Sequence, residues 1–294
     1  MSTPPKDPNR KRITLTKLAE MRALGEPIVM ITAYDHPSAL VVEEAGVDVV
    51  LVGDSAANNV LGYPDTVPVT VDELLMLTRA VRRGLKTPLL VGDLPFGSYE
   101  ISDEQAVATA QRFVKEAGCD AIKLEGGGVS AERARAIVRA GIPVMGHVGL
   151  TPQTATALGG WRAQGRTASR ALELAADALA LQEAGCFSIV FEAIPAEVAA
   201  VIASRMDIPV IGIGAGPGVD GQVLVFHDLL GIREGHGARF VKRYADLLDE
   251  MAVGVSHYAA DVRSRAYPGP EHSYSVDAEE LAVFRDALEA MPGR

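Results

Sequence analysis

Cysteine is almost missing from this chain of 294 residues: Cys119 and Cys186 are the whole supply. Each follows an Ala-Gly pair and leads into an apolar run. That placement speaks against a disulfide framework or a cysteine-based metal site and gives two buried thiols at strand starts, in keeping with a reducing compartment. Cations are in deficit too, 28 Lys and Arg against 38 Asp and Glu, for a formal net charge of -10. Beyond the short Arg10-Lys11-Arg12 run there is no basic block, so neither nucleic acid nor an anionic membrane is an expected partner. No apolar run reaches the roughly 18 residues of a membrane helix, and the opening MSTPPKDPNRKR has no apolar leader segment. A cytoplasmic protein is expected, with residues 1–12 as a disordered tail. The histidines show no metal-ligand spacing, which speaks against zinc. No G-x-G-x-x-G follows the first strand candidate, so a dinucleotide site lacks its main support.

What is present is a regular apolar cadence. With 48% hydrophobic and 22% charged residues the chain can bury a large core. Short runs of Val, Ile and Leu alternate with longer amphipathic stretches, the order of successive βα units around a parallel sheet. Strands are expected over residues 28–32, 49–53, 88–92, 121–124, 143–146, 188–191, 209–213 and, more weakly, 222–226. Helical patterns cover 71–83, 103–117, 131–140, 169–184 and 196–205, with Thr70, Ser102 and Ser130 as N-caps. Gly46, Gly118, Gly141 and Gly185 each close a helix immediately before a strand.

Eight such units in about 250 residues match a closed barrel. The fold class expected is α/β, a (β/α)8 TIM barrel as one domain over residues 13–265. A C-terminal extension follows over 266–294, with a helix at 276–291. An open doubly wound sheet is the runner-up. Gly212-Ile-Gly-Ala-Gly216, after the seventh strand, is either a phosphate cradle or a set of close-packing glycines.

The strand ends are polar: Asp54-Ser55 after the second, Asp93 after the third, Lys123-Leu-Glu125 after the fourth, His147 after the fifth and Glu192 after the sixth. In an eight-stranded barrel these ends converge on one mouth, where the active sites of such barrels are found. A lone Asp after Val-Gly is more often a turn or cap residue, but its recurrence points to a site. Asp54, Asp93 and Glu125 supply hard oxygen ligands of the kind Mg2+ accepts. Lys123 faces the same side as Glu125, where it either neutralises a substrate carboxylate or pairs with Glu125 alone. Glu192, after Phe191, is either a general base whose carboxyl is raised by apolar neighbours or a residue at the next helix's N-terminus. Residues 158–167, with Trp161, Arg162 and Arg166 among glycines, form either a lid or a plain solvent loop.

The ordered series Thr32-Ala-Tyr-Asp35, Val52-Gly-Asp-Ser55, Val91-Gly-Asp-Leu-Pro-Phe96, Ile122-Lys-Leu-Glu-Gly-Gly127, Gly146-His-Val-Gly-Leu-Thr-Pro-Gln153, Gly165-Arg166, Phe191-Glu192, Gly212-Ile-Gly-Ala-Gly216 and Val225-Phe-His-Asp-Leu-Leu-Gly231 resembles the 3-methyl-2-oxobutanoate (ketopantoate) hydroxymethyltransferase family. The resemblance runs from about residue 14 to 244; each motif is weak alone, and their joint order is specific. It implies a barrel of the phosphoenolpyruvate and pyruvate-binding superfamily and a Mg2+ cofactor. It further implies transfer of a one-carbon unit from 5,10-methylenetetrahydrofolate to 3-methyl-2-oxobutanoate through an enolate stabilised by the metal. The product is 2-dehydropantoate, on the route to pantothenate and coenzyme A. Carried over motif by motif, Asp54, Asp93 and Glu125 serve the metal, Asp54, Ser55, Asp93 and Lys123 line the oxoacid site, and Glu192 is the proton acceptor. His147 is accessory, orienting a neighbour in preference to moving protons. A homodecamer is implied as well. A lyase of the same superfamily would bring a cysteine or acid on a lid, and Cys119 and Cys186 are expected at the wrong end of the barrel for that. A non-catalytic oxoacid-binding protein is the remaining alternative.

Overall fold

The computed structural model describes residues 10–233, 235 and 237–292. The chain begins with α1 (Leu15–Leu24), β1 (Ile28–Thr32), α2 (His36–Glu44), β2 (Val49–Val52) and the short α3 (Ala56–Asn59). It continues through α4 (Val71–Gly84), β3 (Leu89–Asp93), α5 (Asp103–Ala117), β4 (Ala121–Lys123), α6 (Val129–Arg139) and β5 (Val144–Gly149). Then come α7 (Ala168–Glu183), β6 (Ser188–Glu192), α8 (Ala196–Ala203), β7 (Val210–Ile213), β8 (Gly221–Leu224) and the five-residue α9 (Phe226–Leu230). The C-terminal part holds α10 (Leu247–Ser264) and α11 (Ala278–Glu289). The strands pair in sequence order, all parallel, and β8 pairs with β1 to close an eight-stranded barrel.

Two apolar layers explain why the strands read as unbroken hydrophobic runs: both of their faces are covered. Inward-facing Ile28, Met30, Val49, Leu51, Leu89, Val91, Ala121, Met145, Val190, Ile211 and Val223 fill the barrel. Ile13, Leu18 and Met21 join that cluster, and the Ile13 amide donates to the Thr87 carbonyl at 2.7 Å, just before β3. The N-terminal segment thus closes the end where the strands begin and leaves the opposite end as the mouth. The intervening residues, among them Val50, Leu90, Ile122, Ile189 and Phe191, pack outward against Leu74, Leu75, Phe113, Ile137 and Leu181 of the helices. Cys119 and Cys186 are both buried and free. Among the described residues, no helix is long and apolar enough to cross a membrane.

Local chemistry sets the helix ends. Thr70 caps α4 in a reciprocal box with Glu73, and the Ser102 side chain accepts from the Gln105 amide at the start of α5. Ser130 does not cap α6, contrary to expectation. The N-cap there is Gly128, which has no side chain to offer, and the Asp177 side chain of α7 packs against Gly127 beside it. The eighth strand also ends earlier than expected, because Val225 is the N-cap of α9 and Phe226 is already helical.

Two residues of the expected tail are held to the barrel. Arg10 donates to the Val47 carbonyl at 2.8 Å and pairs with Asp48 at 3.0 Å, and Arg12 pairs with Asp120. Residues 1–9 lie outside the described residues. By packing, the described residues up to Ala245 form one compact unit and those from Asp246 on a second, which holds α10 and α11. Neither α10 nor α11 contains a buried residue.

The barrel wall is tight at β3. A Cβ on Gly92 would lie 2.6 Å from the Phe113 ring and 2.7 Å from Cys119 Sγ. Gly92→Ala is therefore expected to cost about 2 kcal/mol of stability by overpacking. A thermal melt followed by circular dichroism should show a fall of several degrees in Tm, whereas an unchanged Tm would contradict this close approach of α5 to the sheet.

Candidate active site

Strand register brings the polar ends to one level. Asp93 is paired with Lys123 across β3 and β4, and Lys123 with Met145 across β4 and β5. Two residues further on, the Gly126 amide donates to the His147 carbonyl at 2.9 Å, which sets Glu125 beside His147. Gly149 is paired with Glu192. From β2 the chain turns so that the Asp54 amide donates to Asp93 Oδ2 at 3.1 Å. Asp54, Asp93, Lys123, Glu125 and His147 are all buried, none more than 4% exposed.

The side chains form a continuous polar row. Lys123 Nζ lies 2.9 Å from Asp93 Oδ1, 3.3 Å from Glu125 Oε1 and 3.4 Å from His147 Nδ1. His147 Nδ1 is 3.2 Å from Glu125 Oε1, and its Nε2 is 3.2 Å from Glu192 Oε2. Ser55 is the N-cap of α3 yet makes no capping bond; its hydroxyl meets the Tyr34 hydroxyl at 2.8 Å. The structure thus brings all seven sequence-predicted residues to one mouth. Lys123 does not pair with Glu125 alone, since Asp93 is nearer.

Glu192 is held by unusual backbone. Ala193, a non-glycine with φ of 50°, sits in the left-handed region, its amide bonded to Ile213 and its carbonyl to the Gln164 amide. Across the ladder Gly149 has φ of 104°, and a Cβ there would lie 2.1 Å from the Glu192 carbonyl oxygen. Only glycine fits that position.

One oxygen from each of Asp54, Asp93 and Glu125 lies within 4.8 Å of the others, and Asp54 Oδ2 is buried without a protein partner among the described residues. Three hard donors with a free lone pair suit a divalent cation such as Mg2+. The charge balance of the protein alone agrees. Burial, then the charges of Asp93 and Glu125, hold the Asp54 carboxyl well above the usual range. Burial also raises Asp93, against the pull of Lys123. Burial would raise Glu125 as well, but Lys123 and His147 outweigh it and bring the group down to about 2. Lys123 is raised, since Asp93, Glu125 and Asp54 overcome its desolvation.

Sequence reasoning missed a supporting group. Tyr99, buried in the segment after β3, donates to Gln153 Oε1 at 2.8 Å; Gln153 donates its side-chain amide to the Leu94 carbonyl at 3.0 Å and its backbone amide to Glu125 Oε2 at 3.1 Å. Gln153 closed one of the quoted motifs, but nothing in the pattern singled out Tyr99. The glycines of 212–216 serve packing. A Cβ on Gly214 would meet the Phe240 ring at 2.5 Å, and one on Gly216 would meet Ala196 Cβ at 2.3 Å.

The mouth opens into a cavity of about 1300 Å³ that also reaches Thr66, Trp161, Arg162, Pro195, Arg233 and Phe240. The family model described as ketopantoate hydroxymethyltransferase matches residues 12–270. The chain belongs to that family. It is 54% identical to the 3-methyl-2-oxobutanoate hydroxymethyltransferase of Saccharopolyspora erythraea over 91% of each chain. It is 52% identical to the Arabidopsis thaliana protein named 3-methyl-2-oxobutanoate hydroxymethyltransferase 1, mitochondrial, over 98% of this chain and 84% of the relative. Among solved structures, phosphonopyruvate hydrolase in complex with oxalate and Mg2+ matches with a TM-score of 0.58 at 14% identity, covering 95% of this chain and 97% of the other. 2,3-Dimethylmalate lyase, a member of the PEP mutase/isocitrate lyase superfamily, matches with a TM-score of 0.56 at 16% identity, covering 94% and 96%. Those two likenesses carry the fold. The hydroxymethyltransferase match takes in every strand and every polar strand end, and it stops before α11.

His147 offers a test of this charge arrangement. Burial and Lys123 act to lower its pKa, and the contacts with Glu125 and Glu192 outweigh them, raising it from 6.5 to about 9. A raised folded-state value means stability that is complete below pH 6.5 and is lost as pH rises through about 9. In metal-free protein with 13C-labelled histidine, the imidazole resonance that disappears in His147→Gln is expected to titrate near pH 9. A midpoint below 7 would contradict the arrangement.

Proposed function

We propose that this chain transfers a hydroxymethyl unit from 5,10-methylenetetrahydrofolate to 3-methyl-2-oxobutanoate, giving 2-dehydropantoate for pantothenate and coenzyme A. Family membership supports the reaction, and one observation carries it to these residues: Glu192, a buried lysine and three clustered acids line one cavity of about 1300 Å³, with His147 between the base and the rest. That space exceeds what a small oxoacid fills.

Asp54, Asp93 and Glu125 would hold Mg2+, which would supply Lewis-acid stabilisation for negative charge on the oxoacid's keto oxygen. The protein's own groups do the rest. Lys123 and the Ser55 hydroxyl hold the substrate carboxylate, with Asp54 and Asp93 lining the same pocket, and this fixes the face presented to the donor. Glu192 takes the proton from C3 as general base. His147, bonded to Glu125 through Nδ1 and with Nε2 3.2 Å from Glu192, orients the base. C3 bonds to the donated methylene and water supplies the hydroxyl oxygen as both carbon–nitrogen bonds to the folate break; one proton from water and the one taken from C3 go to those nitrogens, leaving tetrahydrofolate. Trp161 and Arg162, exposed on the cavity's rim, form part of the loop that closes over the mouth. Assembly as a homodecamer and a cytoplasmic location belong to the same reading, by family membership.

Proton NMR of 3-methyl-2-oxobutanoate in D2O with protein and Mg2+ tests the proposal. Wild type is expected to exchange the C3 proton, and Glu192→Gln to do so at least about 100-fold more slowly. Equal rates would remove Glu192 as the base. No exchange by wild type, with or without tetrahydrofolate, would favour a binding protein over a transferase.

A further inference from the structure

The connection between β2 and α4 contains one residue that its surroundings leave unexplained. Pro64, Asp65, Val67 and Pro68 are exposed, as loop residues are, yet Thr66 between them is 2% exposed. Its hydroxyl is buried with no hydrogen-bond partner among the described residues, and the residue lines the large cavity. A hydroxyl buried without a partner is costly, and valine would fill the same space without that cost. The placement is built. The Leu61 and Tyr63 amides donate to the Ala56 and Ala57 carbonyls at 3.0 and 2.9 Å, folding the connection back onto the Asp54-Ser55 turn. Asp65 then accepts from the Val67 amide at 2.9 Å, a tight turn around Thr66 itself.

We infer that Thr66 is a binding residue for the one-carbon donor, its hydroxyl bonding a polar group on the edge of the reduced pterin. The inference rests on the transferase reading and adds the donor's place in the cavity. The oxoacid offers its hydrogen-bonding capacity through carboxylate and keto oxygens, for which Lys123, Ser55 and the metal-binding acids provide. Its remainder is a branched hydrocarbon with nothing for a hydroxyl to bond. A pterin edge carries ring N–H, amino and carbonyl groups, any of which satisfies a hydroxyl that both donates and accepts. Pro64, on the same turn and lining the same cavity, supplies an apolar surface, and Asn58 supplies a further amide.

Thr66→Val removes the hydroxyl and keeps the shape, and Thr66→Ser restores it. Two assays separate the substrates: C3 proton exchange of 3-methyl-2-oxobutanoate with Mg2+ and no folate, and steady-state transfer with 5,10-methylenetetrahydrofolate varied. For Thr66→Val, exchange is expected to stay within about twofold of wild type while the KM for the donor rises about tenfold. Thr66→Ser should recover most of that loss, and the Tm of Thr66→Val should equal or exceed that of wild type. An unchanged donor KM with active wild type overturns the inference alone. Equal losses in both assays assign the hydroxyl to the oxoacid, and a fall in Tm assigns it to folding; either overturns the inference too. Wild type silent in both assays overturns the transferase reading and this inference with it.

Discussion

Lys123 is the charge around which the mouth is organised. Its ammonium is buried among Asp93, Glu125 and, further off, Asp54, a grouping that the low-dielectric interior tolerates only because opposite charges face one another. Removing the lysine would leave three carboxylates buried with His147 as their nearest cation. Even with Lys123 the acids are in excess, and Asp54 takes the consequence by holding its proton more tightly than usual. A divalent cation in the cluster would offset that excess of negative charge. The register of β3, β4 and β5 places the partners.

Rigidity around the site comes from the barrel. Ile13, Leu18 and Met21 seal the far end, and the interior side chains fill the space between. Glu192 is then set by backbone that no generic strand end would adopt, with Ala193 in the left-handed region and Gly149 pressed against its carbonyl. Such strain is retained when the surrounding structure over-determines it. The polar groups stand on strand ends, and the rest of the cavity's lining comes from connections, among them the β2–α4 turn and the segment carrying Trp161.

The barrel was legible in the sequence because strands buried on both faces leave an unmistakable rhythm, and the seven residues that meet at the mouth were legible because polar groups interrupt that rhythm at its ends. What escaped depends on distant parts of the chain. The N-cap of α6 is Gly128, beside which Asp177 of the distant α7 packs, whereas the local pattern favours Ser130. Arg10 and Arg12 look like tail residues until Asp48 and Asp120 are brought beneath them. Tyr99 and Gln153 support Glu125 through bonds that span whole βα units. Thr66 looked like any loop threonine, and an unpartnered hydroxyl is a property of three-dimensional surroundings alone. The shortened β8 reflects a boundary, since Val225 and Phe226 suit a strand by composition and are claimed by α9.

The central claim is that Asp54, Asp93 and Glu125 form a single divalent-cation site beside Lys123. Titration of chelator-stripped protein with Mn2+, with the free ion read by electron paramagnetic resonance, addresses it directly. Wild type should show one saturable site per chain that Mg2+ competes away, weakened about a hundred-fold or more in Asp54→Asn, which keeps the side chain's shape and removes its charge. Absence of saturable binding in wild type, or equal affinity in Asp54→Asn, would contradict the account.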